Sequence, residues 1–159
     1  MELALIPNQE CKSVIDNIID NIYLGNFQSH SSFEGSIINL SDYDYKINNK
    51  YNLLRINISD SRDANENIAQ YFTKCIDFIE TNKDDNILIH CNEGVSRSVT
   101  IVLAILIKKY NYDLKSAIEF IKMRRTHPTF PKRHFFNQLI SLENDCNMFS
   151  VNKKDYLRF

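Results

Sequence analysis

The sequence is poor in the residues that make turns, and it lacks a long apolar run. It contains only three glycines and three prolines in 159 residues, which argues against a turn-rich all-β fold. Its longest uninterrupted apolar run, Ile101 to Ile107, has seven residues, far short of the ~20 that a membrane-spanning helix needs. The formal net charge of −1 indicates that the chain as a whole does not bind polyanions. We therefore expect neither a membrane nor a nucleic acid as a partner.

Cysteines are also few, and they are not spaced as metal or redox pairs. The four cysteines lie at positions 11, 75, 91 and 146, and no two of them have CxxC spacing. A zinc ribbon or a thioredoxin-type site is therefore not expected. The first residues, MELALIPNQE, lack the basic start and the long apolar run of a signal peptide. These features predict a cytoplasmic protein, or a nuclear one, with free thiols.

The residues that are present describe an ordinary globular domain, with 43% apolar and 25% charged residues. Short β-prone runs come first, a strand–helix–strand unit follows, and three helices end the chain. The predicted strands are 13–19, 21–25, 35–40, 51–58 and 86–90, and the predicted helices are 64–82, 96–110, 114–125 and 135–147. This order predicts a single α/β domain with a central, mostly parallel twisted sheet of four to five strands flanked by helices. We expect the domain at 14–147, an N-terminal extension at 1–13 and a C-terminal tail at 148–159.

One stretch between a predicted buried strand and a predicted helix carries the residues for a reaction. It reads Ile89-His90-Cys91-Asn92-Glu93-Gly94-Val95-Ser96-Arg97-Ser98. In a strand-to-helix loop, successive backbone N–H groups and the positive end of the helix dipole bind an anion. A thiol in that field loses its proton readily, and Arg97 can hold two phosphate oxygens with its fork of donors. A thiolate in a phosphate-binding loop predicts phosphoryl transfer through a phosphocysteine intermediate.

These residues resemble a known family. His90-Cys91-x5-Arg97-Ser98 resembles the signature of the cysteine-dependent protein tyrosine phosphatase superfamily. Further elements resemble those of its dual-specificity phosphatases: Tyr23-Leu24-Gly25, then Ile58-Ser59-Asp60, then Pro131 with Phe135 and Gln138-Leu139. The resemblance covers residues 14 to 145, and several motifs in the family's order support it. It implies a catalytic loop between a central strand and a helix, and a helix between Gly25 and Ile37 that is reduced here to a turn.

The resemblance also implies a role for each site residue. Cys91 attacks phosphorus, Asp60 protonates the leaving group and then activates water, and the Ser98 hydroxyl hydrogen-bonds the departing thiolate. His90 orients the loop from behind. The phosphate oxygens are bound by the backbone of Asn92, Glu93, Gly94, Val95, Ser96 and Arg97. The Arg97 side chain also holds them in the transition state.

The implied activity is hydrolysis of phosphotyrosine and phosphoserine or phosphothreonine in proteins, with no metal or organic cofactor. The sequence has no tryptophan, which excludes the Trp-Pro-Asp acid loop of the larger tyrosine-specific relatives. A chain of this length also lacks room for their pocket-deepening segments, and a shallow pocket can admit the shorter phosphoserine and phosphothreonine. The expected partner is a phosphorylated protein, and the sequence leaves a monomer and a homodimer open.

The sequence also supports alternative interpretations. Asp63 lies close to Asp60 in the sequence and could be the general acid instead. Removal of the 5′ phosphate from RNA is an alternative reaction, although a phosphoanhydride leaving group needs little protonation by Asp60. A phosphoinositide substrate is less favoured because residues 92–96 contain no Lys or Arg. A phosphoprotein-binding pseudophosphatase scaffold would need a broken catalytic set, whereas Cys91, Arg97 and Asp60 are all present.

A basic segment follows the third predicted helix. Residues 122–134 contain five Lys or Arg residues, two His residues and no acid. The resemblance places this segment near the pocket, with Arg124, Arg125 and Lys132 as candidate residues of a substrate-binding rim. Glu93 departs from the small residue usual in the family, and it could pair with one of these three. The alternative is that Glu93 points to solvent and that the segment is an ordinary solvated surface.

Overall fold

A five-stranded sheet forms the centre of the fold. The computed structural model describes residues 12–61 and 66–151. The strands are β1 (Ile15–Ile19), β2 (Ile22–Gly25), β3 (Ser36–Asn39), β4 (Leu53–Arg55) and β5 (Ile87–His90). The helices are α1 (Phe72–Thr81), α2 (Arg97–Tyr110), α3 (Leu114–Arg124) and α4 (Arg133–Asp145). The strand order is β1-β2-β5-β3-β4, in which only β1 is antiparallel to its neighbour. The predicted α/β class with a mostly parallel sheet is confirmed.

The central strand β5 determines where a ligand can bind. All four of its residues, Ile87–His90, are buried, as expected for a strand covered on both faces. It lies between β2 and β3 and is parallel to both. In open α/β sheets, ligands bind beyond the carboxyl ends of the strands. The chain leaves β5 at that edge and passes through residues 91–96 into α2.

Helix α2 forms the core of the helical layer. Its first eleven residues, from Arg97 to Ile107, are all buried, so this helix is covered on every side. It packs against α1, α3, α4 and β5. The helix ends at Asn111, whose φ of 58° gives the left-handed conformation that commonly terminates helices. The amino end of α2 begins at Arg97, directly after the loop that leaves β5.

Several predicted boundaries differ from the structure. The described part of the predicted helix 64–82 begins with a 3-10 turn at Ile68–Tyr71, and α1 follows from Phe72. The predicted strand 51–58 is ordered as a strand only at Leu53–Arg55, because only that part pairs with β3. The segment after Gly25 forms a 3-10 helix at Phe27–Ser31, in agreement with the expected reduction of a helix.

Some predictions fall on residues that the structure does not describe. Asp63 and Cys11 lie outside the described residues, as do most of the predicted N-terminal extension and C-terminal tail. Among residues 12–61 and 66–151, no helix is both long enough and apolar enough to cross a membrane.

Candidate active site

The candidate nucleophile lies at the bottom of a pocket of about 550 Å³. Cys91 follows β5 directly and is 3% exposed. The pocket is lined by Asp42, Ser59, Asp60, Ser61, Cys91, Asn92, Glu93, Val95, Ser96, Arg97, Phe130, Pro131 and Lys132. The residues predicted from the Cys91 loop and from the Asp60 segment therefore meet at one pocket, although the sequence separates them by about thirty positions.

Groups outside the loop fix the orientation of its peptide planes. Three of its carbonyl oxygens accept hydrogen bonds from other segments. These are Asn92 O from the Phe27 N–H at 3.0 Å, Gly94 O from Arg125 Nη2 at 2.8 Å, and Val95 O from the Phe130 N–H at 2.8 Å. In a trans peptide group the N–H points opposite to the C=O. The N–H groups of residues 93, 95 and 96 therefore point away from these contacts, and all three residues line the pocket.

The thiol of Cys91 has a hydroxyl partner. Its Sγ lies 3.1 Å from Oγ of Ser98, which is completely buried in the first turn of α2. A hydroxyl at this distance can donate a hydrogen bond to a thiolate and so stabilise its charge. This distance agrees with the predicted hydrogen bond between the Ser98 hydroxyl and the Cys91 sulfur.

His90 supports the loop as a neutral side chain. Burial lowers the pKa of His90 from 6.5 to about 4, and the hydrogen bond to the Cys91 carbonyl only partly opposes that shift. Because a carbonyl can only accept, Nδ1 carries the proton and donates to Cys91 O at 3.0 Å. Nε2 accepts from the Tyr45 hydroxyl at 2.5 Å, and burial raises the pKa of that hydroxyl so that it keeps its proton. His90 is thus a positioning residue and not a cation at neutral pH.

Arg97 presents one edge of its guanidinium to the pocket. It is 4% exposed. Its Nη1 donates to Asp42 Oδ1 at 2.7 Å and to Ile58 O at 3.1 Å. Its Nε is buried and has no hydrogen-bond partner in the described part of the chain. The side chain is therefore anchored through one nitrogen, while another donor remains available for an anion in the pocket.

Asp42 is a pocket residue that the sequence analysis missed. It follows β3, and its carboxylate accepts from Arg97 and from Asn92 Nδ2, each at 2.7 Å. Its backbone N–H donates to Asn92 Oδ1 at 2.9 Å. The hydrogen bond from Arg97 lowers the pKa of Asp42 below its usual value. One signal could have found it: the carboxyl ends of parallel strands meet at one edge of a sheet, and Asp42 follows such an end.

Asp60 approaches the pocket from a different side. One of its carboxylate oxygens, Oδ1, is buried and has no hydrogen-bond partner among the described residues. Two neighbouring residues hold its segment in place. Ile58 O accepts from Arg97 at 3.1 Å, and the Ser59 N–H points to Glu66 Oε1 at 3.4 Å. Asp60 thus lines the same pocket as Cys91.

The predicted basic rim is only partly present. Lys132 lines the pocket, as predicted. Arg124 is exposed, and its guanidinium lies 4.7 Å from the centre of the Phe120 ring, which is not a pocket residue. The prediction that Arg125 lies at the rim is wrong. Its side chain is buried behind the loop, because Asp16 and two backbone carbonyls accept its hydrogen bonds there.

Glu93 also does not form the predicted ion pair with Arg124, Arg125 or Lys132. Glu93 is exposed and forms no ion pair within residues 12–61 and 66–151. Among the described residues that line the pocket, Asp42, Asp60 and Glu93 carry carboxyl groups, and Arg97 and Lys132 are cations. In the same part of the chain, no three His, Cys, Asp or Glu side chains form a group that could hold a metal ion.

Comparison with known proteins identifies the family. The family model for the dual specificity phosphatase catalytic domain matches residues 22–145. Protein 123R of Invertebrate iridescent virus 6 is 34% identical over 82% of this chain and 92% of its own length. Dual specificity protein phosphatase 1 of Arabidopsis thaliana is 36% identical over 67% of this chain, which spans only 50% of that protein. The crystal structure of human DUSP28 matches 84% of this chain and 95% of its own, with a TM-score of 0.75 at 17% identity, and so supports the fold. The chain belongs to the dual specificity phosphatase family.

Proposed function

We propose that this chain hydrolyses phosphotyrosine and phosphoserine or phosphothreonine in proteins through a phosphocysteine intermediate. One observation carries the proposal. The Cys91 thiol lines one pocket together with loop residues 92, 93 and 95–97, and the buried Nε of Arg97 has no hydrogen-bond partner among the described residues. A nucleophile and several anion-binding donors that face one space are the requirements for phosphoryl transfer.

In the first step, the Cys91 thiolate forms a bond to phosphorus while the bond from phosphorus to the substrate oxygen breaks. Asp60 donates its proton to that oxygen, so the substrate leaves as a neutral alcohol or phenol. Arg97 and the N–H groups of residues 92–97 bind the three remaining oxygens, where negative charge is held in the transition state.

In the second step, a water molecule attacks phosphorus and gives its proton to the Asp60 carboxylate. The bond from sulfur to phosphorus breaks, and its electron pair returns to sulfur. The Ser98 hydroxyl, 3.1 Å from Sγ, donates a hydrogen bond to the thiolate that forms. Inorganic phosphate is released, and the protonation state of Asp60 is restored for the next substrate.

The charge at the pocket opening favours a peptide over a nucleic acid. Among the described residues that line the pocket, Asp42, Asp60 and Glu93 bring carboxyl groups, whereas Arg97 and Lys132 bring cations. A triphosphate-ended RNA would bring several negative charges against these carboxylates. A phosphopeptide brings one phosphate group, which Arg97 and the loop can neutralise.

Cys91→Ser tests the proposed function. We expect it to abolish hydrolysis of p-nitrophenyl phosphate and of phosphopeptides, because a serine hydroxyl stays protonated where a thiol ionises. Binding of inorganic phosphate should persist, since the backbone donors are unchanged. The matched control is Cys146→Ser, at the exposed end of α4, which should keep full activity. Turnover by Cys91→Ser within about tenfold of the wild type would contradict the phosphocysteine mechanism.

A further inference from the structure

A second arginine is buried directly behind the phosphate-binding loop. The Arg125 side chain is 1% exposed and forms an ion pair with Asp16 at 2.9 Å. The same Nη1 donates to Leu24 O at 3.0 Å, and Nη2 donates to Gly94 O at 2.8 Å. Thr126 also hydrogen-bonds the Asp16 carboxylate. The guanidinium therefore joins the end of α3, strand β1, strand β2 and the apex of the loop.

The contact with Gly94 determines the direction of an N–H group in the pocket. Gly94 and Val95 share one planar peptide group, so a carbonyl held at the back directs the Val95 N–H to the front. The apex is tightly enclosed. Gly94 has a φ of 71°, and a Cβ there would lie 2.5 Å from Gly25 O and 2.7 Å from Arg125 Nη2. Rotation of the Gly94–Val95 peptide plane would break the hydrogen bond from Arg125 Nη2 to Gly94 O.

The charge of Arg125 also acts on the site. Burial lowers the pKa of Arg125, and the interaction with Asp16 opposes this shift. The electrostatic interaction between the Arg125 guanidinium and Cys91 opposes the shift as well.

We propose that Arg125 is a positioning residue that orients the apex of the phosphate-binding loop, and that Asp16 in turn holds Arg125. This proposal rests on the proposed function, because it assigns Arg125 to the binding of the phosphate group by that loop. Arg125 acts through Gly94 and does not touch the substrate. Asp16 and Arg125 lie 109 positions apart in the sequence, so strand β1 takes part in building the site.

Two variants and one matched control test the proposal. Arg125→Lys keeps the charge but offers a single nitrogen in place of the planar fork that holds Gly94 O and Leu24 O. The double variant Asp16→Asn with Arg125→Met removes both charges, so no unpaired charge is left buried. The control is Arg124→Met, which removes a neighbouring, exposed arginine. Circular dichroism establishes that each variant is folded.

Two readouts that need no turnover separate this proposal from the proposed function. The affinity for inorganic phosphate reports the loop donors. The rate of Cys91 alkylation by iodoacetamide at pH 6, followed by peptide mass spectrometry, reports the thiolate population. We expect Arg125→Lys to lower the phosphate affinity about tenfold with little change in alkylation, since one displaced donor to an anion costs that much. We expect the double variant to lower both by about tenfold.

The result that would overturn the proposal is equally specific. A folded Arg125→Lys variant with the phosphate affinity of Arg124→Met would mean that the fork does not orient the loop. A folded double variant with unchanged affinity and alkylation would refute both roles of the ion pair. If the double variant does not fold, the Arg125→Lys affinity alone decides. If the wild type binds phosphate but does not hydrolyse phosphopeptides, the proposed function is contradicted. The test of Arg125 by phosphate affinity remains valid in that case.

Discussion

Ser98→Ala should separate the two chemical steps of the proposed reaction. The hydroxyl of Ser98 lies 3.1 Å from Cys91 Sγ, and both residues are nearly inaccessible to water. A hydrogen bond to a charged group contributes about 1.5–3 kcal/mol, so its loss should slow the step in which the Cys91 sulfur leaves phosphorus by about 10- to 100-fold. The first step does not depend on this leaving group and should slow less.

The assay is rapid-quench or stopped-flow turnover of p-nitrophenyl phosphate. Because breakdown of the phosphoenzyme becomes slow, we expect a burst of p-nitrophenol that approaches one equivalent of enzyme, followed by a slow steady state. Ser98→Thr keeps a hydroxyl and should restore much of the rate. Ser141→Ala, which removes an exposed serine hydroxyl from α4, is the control. A Ser98→Ala variant with no burst and with an unchanged steady-state rate would refute the role of this hydroxyl.

Three further predictions concern other groups. Asp60→Asn should lower kcat by about 10²–10⁴ for phosphopeptides and by less for aryl phosphates with acidic leaving groups, as expected for a general acid. If Asp63→Asn gives this pattern and Asp60→Asn does not, Asp63 is the acid. Glu93→Gln should lower KM for phosphopeptides by about two- to threefold and leave kcat unchanged, because an exposed carboxylate that repels phosphate is removed. A higher KM would instead mean that Glu93 contributes to substrate binding. Between pH 6.5 and pH 4 the unfolded chain protonates His90 more readily than the folded chain does. The contribution of neutral His90 to the free energy of unfolding is therefore complete above pH 6.5 and decreases toward pH 4. Urea unfolding at pH 7 and 5 should show this loss, and His90→Gln should reduce it; an equal loss in both proteins would place the titrating group elsewhere.

The parts of the site that the sequence predicts are those determined by local pattern. Cys91 and Arg97 belong to one short loop between an apolar strand and an apolar helix, and their spacing in that context predicts that both lie at one anion site. The fold class follows in the same way from the order of strand and helix periodicities. The relation of Asp60 to this loop came from the resemblance, and the pocket places the two together.

Long-range contacts explain what the sequence could not predict. Asp42 meets Arg97 across 55 positions, and Asp16 meets Arg125 across 109. No periodicity indicates which of two adjacent arginines turns inward. Arg125 does so because buried acceptors bind both of its Nη groups, whereas Arg124 remains exposed over an aromatic ring. The run of positive charge therefore predicts a basic surface, whereas the structure buries one of these two adjacent guanidinium groups and exposes the other.

The hydrogen bond from Arg97 to Ile58 O has a thermodynamic consequence for the reaction. Arg97 lines the pocket and also donates to the segment that carries Asp60, the proposed general acid, two residues later. Coupling between two binding events is reciprocal. If phosphate binding restricts the motion of Arg97, we expect it to restrict the Asp60 segment as well, and we expect a change that loosens this segment to weaken phosphate binding.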